Sequence, residues 1–293
     1  MKFLGGLLSG KGGTRELLKE LVAELAGDGV SASCWERCLR AESLEDVLEE
    51  EPRHDWLAST VAEHLGNAVS LAGRCTEAVE HALTLGPSFD DAAELALVNA
   101  LLLLTRLLAL RASEGDDPPL RAALWGPEGS GRDLGERLAN AAVALLFLEG
   151  FCVEPGLEPE AGGEGAAAAG APDPRLLWRQ GIGGGQAQKQ DEAARSNRQL
   201  GLQLLVAILC GPAQGEEAPK ADPRPLRHLV DPEVPVPCRP ELLCSLVSVA
   251  LGYDPHGLGV PYAGYFGGGK DEAFAALCLQ VLGLLLQDPR DGE

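Results

Sequence analysis

Aromatic side chains are scarce in this 293-residue chain, at 4%, with three Tyr, four Trp and six Phe. Strands fill their pleated faces with aromatic and β-branched residues, so a β-rich core is disfavoured, and the abundance of Leu and Ala points to helices. Positive charge is scarce as well. Against 24 Lys and Arg stand 44 Asp and Glu, a formal net charge of −20. A phosphate backbone is held by a Lys/Arg stripe, which excludes a nucleic-acid groove. Anionic lipid repels an acidic surface, so unaided adhesion to a membrane is not expected.

Paired cysteine motifs are missing too. The eight cysteines (Cys34, Cys38, Cys75, Cys152, Cys210, Cys238, Cys244 and Cys278) contain no CxxC and form no dense framework, which suits a reduced, cytosolic setting. Cys75, Cys210, Cys244 and Cys278 lie in apolar helical stretches, where a free thiol behaves as a small hydrophobe. The apolar run near Met1 is too short for a secretory h-region, and no secretion is expected. Leu95 to Leu110 is the one stretch that invites a membrane reading. It is about four residues short of a span and carries Asn99 and Arg106, so it reads as a buried central helix.

What is present is globular in kind: 45% hydrophobic and 23% charged residues, on a length that suits one large domain or two ordinary ones. Helical patterns recur. Thr14 can cap a helix with the stripe Leu17, Leu18, Leu21, Val22 and Leu25, ended by Gly27. Ser43 opens a short acidic helix that Pro52 stops, and Leu57, Val61, Leu65 and Val69 form the next stripe. Ser88 with Asp91 resembles a capping box before a Leu-rich helix to about Arg111. Asp133 precedes Leu134, Leu138, Ala141, Leu145 and Leu148, one inward face. Further helices are predicted over about Glu192–Cys210 and through Phe274, Leu277, Cys278, Val281, Leu282 and Leu285.

No strand ladder accompanies them, so the fold class expected is all-α. Amphipathic helices of similar length joined by short breaks suit an α-solenoid of stacked helix pairs, armadillo- or HEAT-like, although no fixed period repeats. Two longer breaks, at about 154–174 and 211–240, read as disordered surface insertions. The first is Gly/Ala/Pro/Glu low complexity; the second is proline-rich, with Leu226, Leu229 and Val230 as its apolar cluster.

Candidate chemistry does not hold up. Gly5 to Lys11 has the start of a phosphate-binding loop, but Gly12 stands where a Mg²⁺-ligating Ser or Thr is required, and too few residues precede it for a strand. Gly181 to Gly185 lacks the spacing of a dinucleotide loop. Cys34 and Cys38 share a helical face, yet zinc needs two more ligands and His54 and His64 are isolated, so core packing beside Trp35 is expected. Asp254 and His256 read as turn chemistry. No catalytic, cofactor-binding or metal residues, and no cofactor, are predicted: the chain is not expected to be an enzyme.

The stretch GYDPHGLGVPYAG from Gly252 to Gly264 is more specific. Gly252 can cap a helix, Asp254-Pro255 starts a turn, Gly257 and Gly259 permit positive φ, and Pro261 pushes Val260 extended. Tyr253 and Tyr262 flank it. A rigid interhelix loop of this kind serves either as a packing device or as a partner-binding surface.

Tyr253 to Tyr262 resembles the YDPxGxGxPY stretch of the high-temperature-induced dauer-formation (Hid-type) proteins, relatives of dymeclin. Its motif residues here are Tyr253, Asp254, Pro255, Gly257, Gly259, Pro261 and Tyr262. LLLLTRLL (Leu101 to Leu108) followed by Ala123-Leu124-Trp125, the Trp178-x-x-Gly181-x-Gly183 turn, and Ser196-Asn197-Arg198 leading to Leu204 and Leu205 resemble further family pieces in the same order. The resemblance covers roughly Ala92 to Leu286. Family members are typically much longer, which implies that residues 1–293 correspond to the N-terminal portion of such a helical domain. Lys2 stands where many animal members carry a myristoylated Gly, and Ala263 where the family often has Asn.

The resemblance implies a non-enzymatic scaffold in secretory trafficking, cytoplasmic and peripherally associated with Golgi and trans-Golgi membranes, supporting vesicle formation and cargo sorting. Its expected partners are other proteins of the trafficking machinery. Contact with membrane is expected to be indirect, and no nucleic acid is involved. A helical-repeat adaptor with no membrane role is the alternative.

Overall fold

A computed structural model describes residues 11–50, 60–88, 90–110, 119–126, 132–155, 172–178, 192–210, 221–253 and 269–287. Among them the regular structure is helical, with an isolated parallel bridge between Glu149 and Val153. The all-α expectation holds. No described helix is long and apolar enough to cross a membrane. The chain divides into two compact units: Met1–Ala141 with Cys210–Lys220, and Ala142–Leu209 with Ala221–Glu293.

The first unit contains α1 (Lys11–Leu25), α2 (Ala32–Leu39), α3 (Leu44–Glu50), α4 (Leu65–Leu85), α5 (Asp91–Leu108), α6 (Pro119–Leu124) and most of α7 (Arg132–Leu145). α1 buries Leu17, Leu18, Leu21 and Leu25, the stripe read from the sequence, with Val22 at its half-buried edge. Thr14 is not its cap. It lies inside α1, buried, and its hydroxyl donates to the Glu42 carbonyl at 2.7 Å. α3 follows Ser43, as expected; Glu51, Pro52 and Leu57 lie outside the described residues.

Leu65 and Val69 are only half-buried. The inward face of α4 is instead Ala68, Leu71, Ala72, Cys75, Val79 and Ala82, whose smaller side chains let α5 pack closely against it. α5 starts two residues later than the capping-box reading placed it. Gly86–Ser88 form a 3₁₀ turn, and Asp90 is the cap, accepting the Ala93 N–H at 2.9 Å. From Leu97 to Leu108 α5 buries a broad face, and Val98, Leu102, Thr105 and Arg106 on the remaining side are half-buried, which accounts for its membrane-like sequence.

Buried helix ends in this unit are closed by amides from distant helices. The last carbonyls of a helix have no partner of their own and must find a donor. Asn99, only 2% exposed in the middle of α5, points its Nδ2 at the carbonyls of Cys38, Leu39 and Ala41, at 3.1, 3.0 and 2.9 Å. Asn67 does the same for α1, donating to Leu25 and Gly27, both at 2.9 Å. At α7, Gly135 is required by close approach. A Cβ there would lie 2.6 Å from the Leu124 carbonyl oxygen and 2.8 Å from the Trp125 ring.

The second unit holds the end of α7, α8 (Glu192–Leu209), α9 (Pro223–Val230), α10 (Arg239–Gly252) and α11 (Gly269–Leu285). α11 packs against α8, α9 and α10. It buries Phe274, Ala275, Cys278, Val281 and Leu284, while Leu277, Leu282 and Leu285 are half-buried. Residues 156–171 of the first predicted insertion lie outside the described residues.

The second insertion, 211–240, is not a loop throughout. α9 lies within it: Asp222 caps the helix by accepting the Arg224 N–H at 3.0 Å, and Pro223 occupies a first-turn position where its lost N–H costs nothing. Pro225, Leu226, His228 and Leu229 are buried, whereas Val230 faces solvent. Proline density read as loop because prolines in a first turn look the same in sequence as prolines that break a helix. Residues 211–220 lie outside the described residues.

All eight cysteines are free thiols. Cys34, Cys38, Cys75, Cys152 and Cys278 are buried, while Cys210, Cys238 and Cys244 are half-buried. An aromatic disulfide titrant should therefore label the half-buried thiols first, with the buried set reacting only on unfolding. Asn99→Ala should destabilise the chain by about 3 kcal/mol in urea titration, because truncation strands buried carbonyls. Asn67→Ala, at a more exposed helix end, should cost about 1 kcal/mol.

Candidate functional site

α7 does not end in a plain cap. Its C-terminal chain continues through a tight turn in which Cys152 and Val153 both donate to the Leu148 carbonyl, at 2.9 and 3.1 Å. Gly150 has φ 82°, a value suited to glycine, and its N–H reaches the Val153 carbonyl at 2.7 Å. The turn is buried at Phe147, Leu148, Phe151, Cys152 and Val153. Several of its carbonyls point inward and need donors from outside the turn.

Those donors are residues singled out by the sequence. Trp178 Nε1 donates to the Leu146 carbonyl at 3.0 Å. Asn197 Nδ2 donates to Phe151 at 3.0 Å, and Arg198 Nε donates to Cys152 at 2.6 Å. Asn197 and Arg198 project from the first turns of α8, so successive residues of one helix close successive carbonyls of one turn. Gly201, one turn on, brings α8 close: a Cβ there would lie 2.6 Å from Leu146 Cδ2.

Trp178 is the centre of this cluster and is 2% exposed. Its ring stacks on Phe147 at 5.6 Å with a 19° interplanar angle, and Phe274 of α11 sits tilted at 6.0 Å. The Arg198 guanidinium carbon lies 5.8 Å from the Trp178 ring centroid, a cation–π distance. The Trp178 backbone N–H approaches Ser245 Oγ at 3.4 Å, and upstream the Asp173 backbone N–H donates to Glu241 Oε1 at 2.9 Å, tying the 172–178 segment to α10. Burial pushes the Cys152 thiol well up, and pushes Cys278 up to about 12; the Arg198 charge opposes both shifts. These thiols stay protonated at neutral pH.

Thus Trp178, Asn197 and Arg198, from two of the sequence pieces, meet at one turn. Trp125 lies elsewhere, buried in the first unit beside Gly135. Tyr253 is half-buried and closes α10, its N–H 3.4 Å from the Ala250 carbonyl. Asp254, Pro255, Gly257, Gly259, Pro261 and Tyr262 lie outside the described residues, as do Gly181 and Gly183. Phe147, Gly201, Ser245 and Phe274 were not legible as site residues. Only the odd glycine within the helical pattern at position 201 offered a signal.

Cys34 and Cys38 are buried on α2, as core packing predicts. Glu20 and Glu24 of α1 each bring a carboxylate oxygen to within 4.8 Å of the Cys34 sulfur and of each other. The sequence hid this because helix-to-helix register is not written in spacing within one helix.

Trp178→Phe keeps the stacking but removes the donor to Leu146, and should cost about 1–2 kcal/mol in thermal or urea unfolding. Trp178→Ala should cost about 3–5 kcal/mol, with loss of near-ultraviolet dichroism.

No curated protein and no solved structure matches this chain. A family model does, over residues 127–293, which is more than half of the chain and takes in Trp178, Asn197, Arg198 and the Tyr253–Tyr262 stretch. The LLLLTRLL and Ala123–Trp125 pieces precede that span. The family is described as high-temperature-induced dauer-formation protein, and this chain belongs to it.

Proposed function

We propose that this chain is a non-enzymatic scaffold of secretory trafficking, recruited peripherally to Golgi and trans-Golgi membranes, where it supports vesicle formation and cargo sorting. Family membership over residues 127–293 carries the reading. The described motif residues support it. Trp178, Asn197 and Arg198 direct their donors at backbone carbonyls and hold a turn together, a use that is architectural and not chemical.

The helices pack as neighbours along the chain, α4 with α5 and α10 with α11. We propose that such pairs stack in the armadillo or HEAT manner and offer an extended face to several protein partners. A chain of net charge −20 is repelled by anionic headgroups, so in this reading a protein partner brings it to the membrane.

A fluorescently tagged chain should overlap a Golgi marker in the perinuclear region. A uniform cytosolic signal would overturn the proposal in favour of an adaptor with no membrane role. Purified protein should stay in the supernatant when anionic liposomes are sedimented at moderate salt; pelleting would show direct lipid binding. Mg-ATP and Mg-GTP should leave the melting temperature unchanged, because only a ligand that binds the native state raises it.

A further inference from the structure

Away from the Trp178 cluster, α1 and α2 bring carboxylates and thiols together. Glu20 and Glu24 are four residues apart and share a face of α1; Cys34 and Cys38 are related in the same way on α2, which packs against it. We propose that Glu20, Glu24 and Cys34 form a binding site for a divalent cation of the zinc class, with water in the fourth position.

Geometry comes first. The two carboxylate oxygens and Cys34 Sγ lie within 4.8 Å of one another. In a tetrahedral site with metal–ligand bonds of about 2.0–2.3 Å, donor atoms stand about 3.5 Å apart. Small side-chain rotations close that gap, and both glutamates are accessible enough to make them. A mixed carboxylate and thiolate set suits zinc and not magnesium or calcium, which take oxygen alone.

The surroundings orient the donors as supporting residues do around bound metals. Ser31 holds both oxygens of Glu24: its N–H donates to Oε2 at 2.7 Å and its hydroxyl to Oε1 at 3.0 Å. Arg37 is ion-paired with Glu20. Charge then balances: two carboxylates and one thiolate against a dication and one guanidinium.

A bound dication favours the thiolate form of Cys34. The metal–sulfur bond forms as the S–H bond breaks, and the proton passes to solvent.

Cadmium is the probe, because its thiolate bond absorbs in the ultraviolet. Titrating the full chain in a thiol-free reducing buffer should give a charge-transfer band that saturates at about one equivalent with proton release. Cys34→Ser should remove the band and Cys244→Ser should keep it. Glu20→Gln and Glu24→Gln should each weaken cadmium binding about tenfold or more. Glu20 is a surface residue, so its variant tests the site even if Cys34→Ser unfolds. No band in the parent chain, a band surviving Cys34→Ser, or unaltered affinity in both Gln variants would each overturn the proposal.

Discussion

A helix that ends inside a protein leaves carbonyl oxygens facing a medium with no water, and much of this structure answers that problem. Three helix ends are closed by side-chain amides or related donors arriving from far along the chain. Asn67 closes α1, Asn99 closes α2, and Asn197 with Arg198 closes the turn after α7. In each case the donor sits on a helix that also packs apolar side chains nearby. Hydrogen bonding and burial therefore select the same arrangement, which is what a single native state requires.

The turn after α7 shows why an indole, an amide and a guanidinium recur together there. Its carbonyls point in different directions, and each donor has a different reach. Trp178 supplies a rigid N–H on a large apolar body, so it satisfies Leu146 while filling the space between Phe147 and Phe274. Arg198 combines a donor for Cys152 with a cationic face against the indole. Gly201 makes room for the approach. Exchange of any one side chain alters the geometry required of the others.

Helical class and most of the apolar stripes were legible, because a 3.6-residue period is local information. The α1 and α7 faces follow directly from it. What lay beyond reach depended on contacts across the chain. Thr14 looked like a cap because Ser and Thr favour caps, yet its hydroxyl serves Glu42 on the other side of α2. Ser88 lost to Asp90 because an intervening 3₁₀ turn shifts the start of α5. α9 was masked by its own prolines. For the site, Trp178, Asn197 and Arg198 stood out as resembling family pieces, but nothing in their spacing said that they converge on residues 146–152. Nothing in the spacing of Glu20 and Glu24 on α1 says that they face Cys34 on α2.

The distance in sequence between a helix end and the amide that closes it has a consequence for biosynthesis. Asn99 lies about sixty residues after the carbonyls that it serves. While the chain is emerging from the ribosome, α1 and α2 exist with raw ends, and neither can settle until α4 and α5 follow. The first unit thus has a built-in checkpoint: nascent material shorter than α5 should remain a client of chaperones, and commitment arrives in one step when that central helix docks.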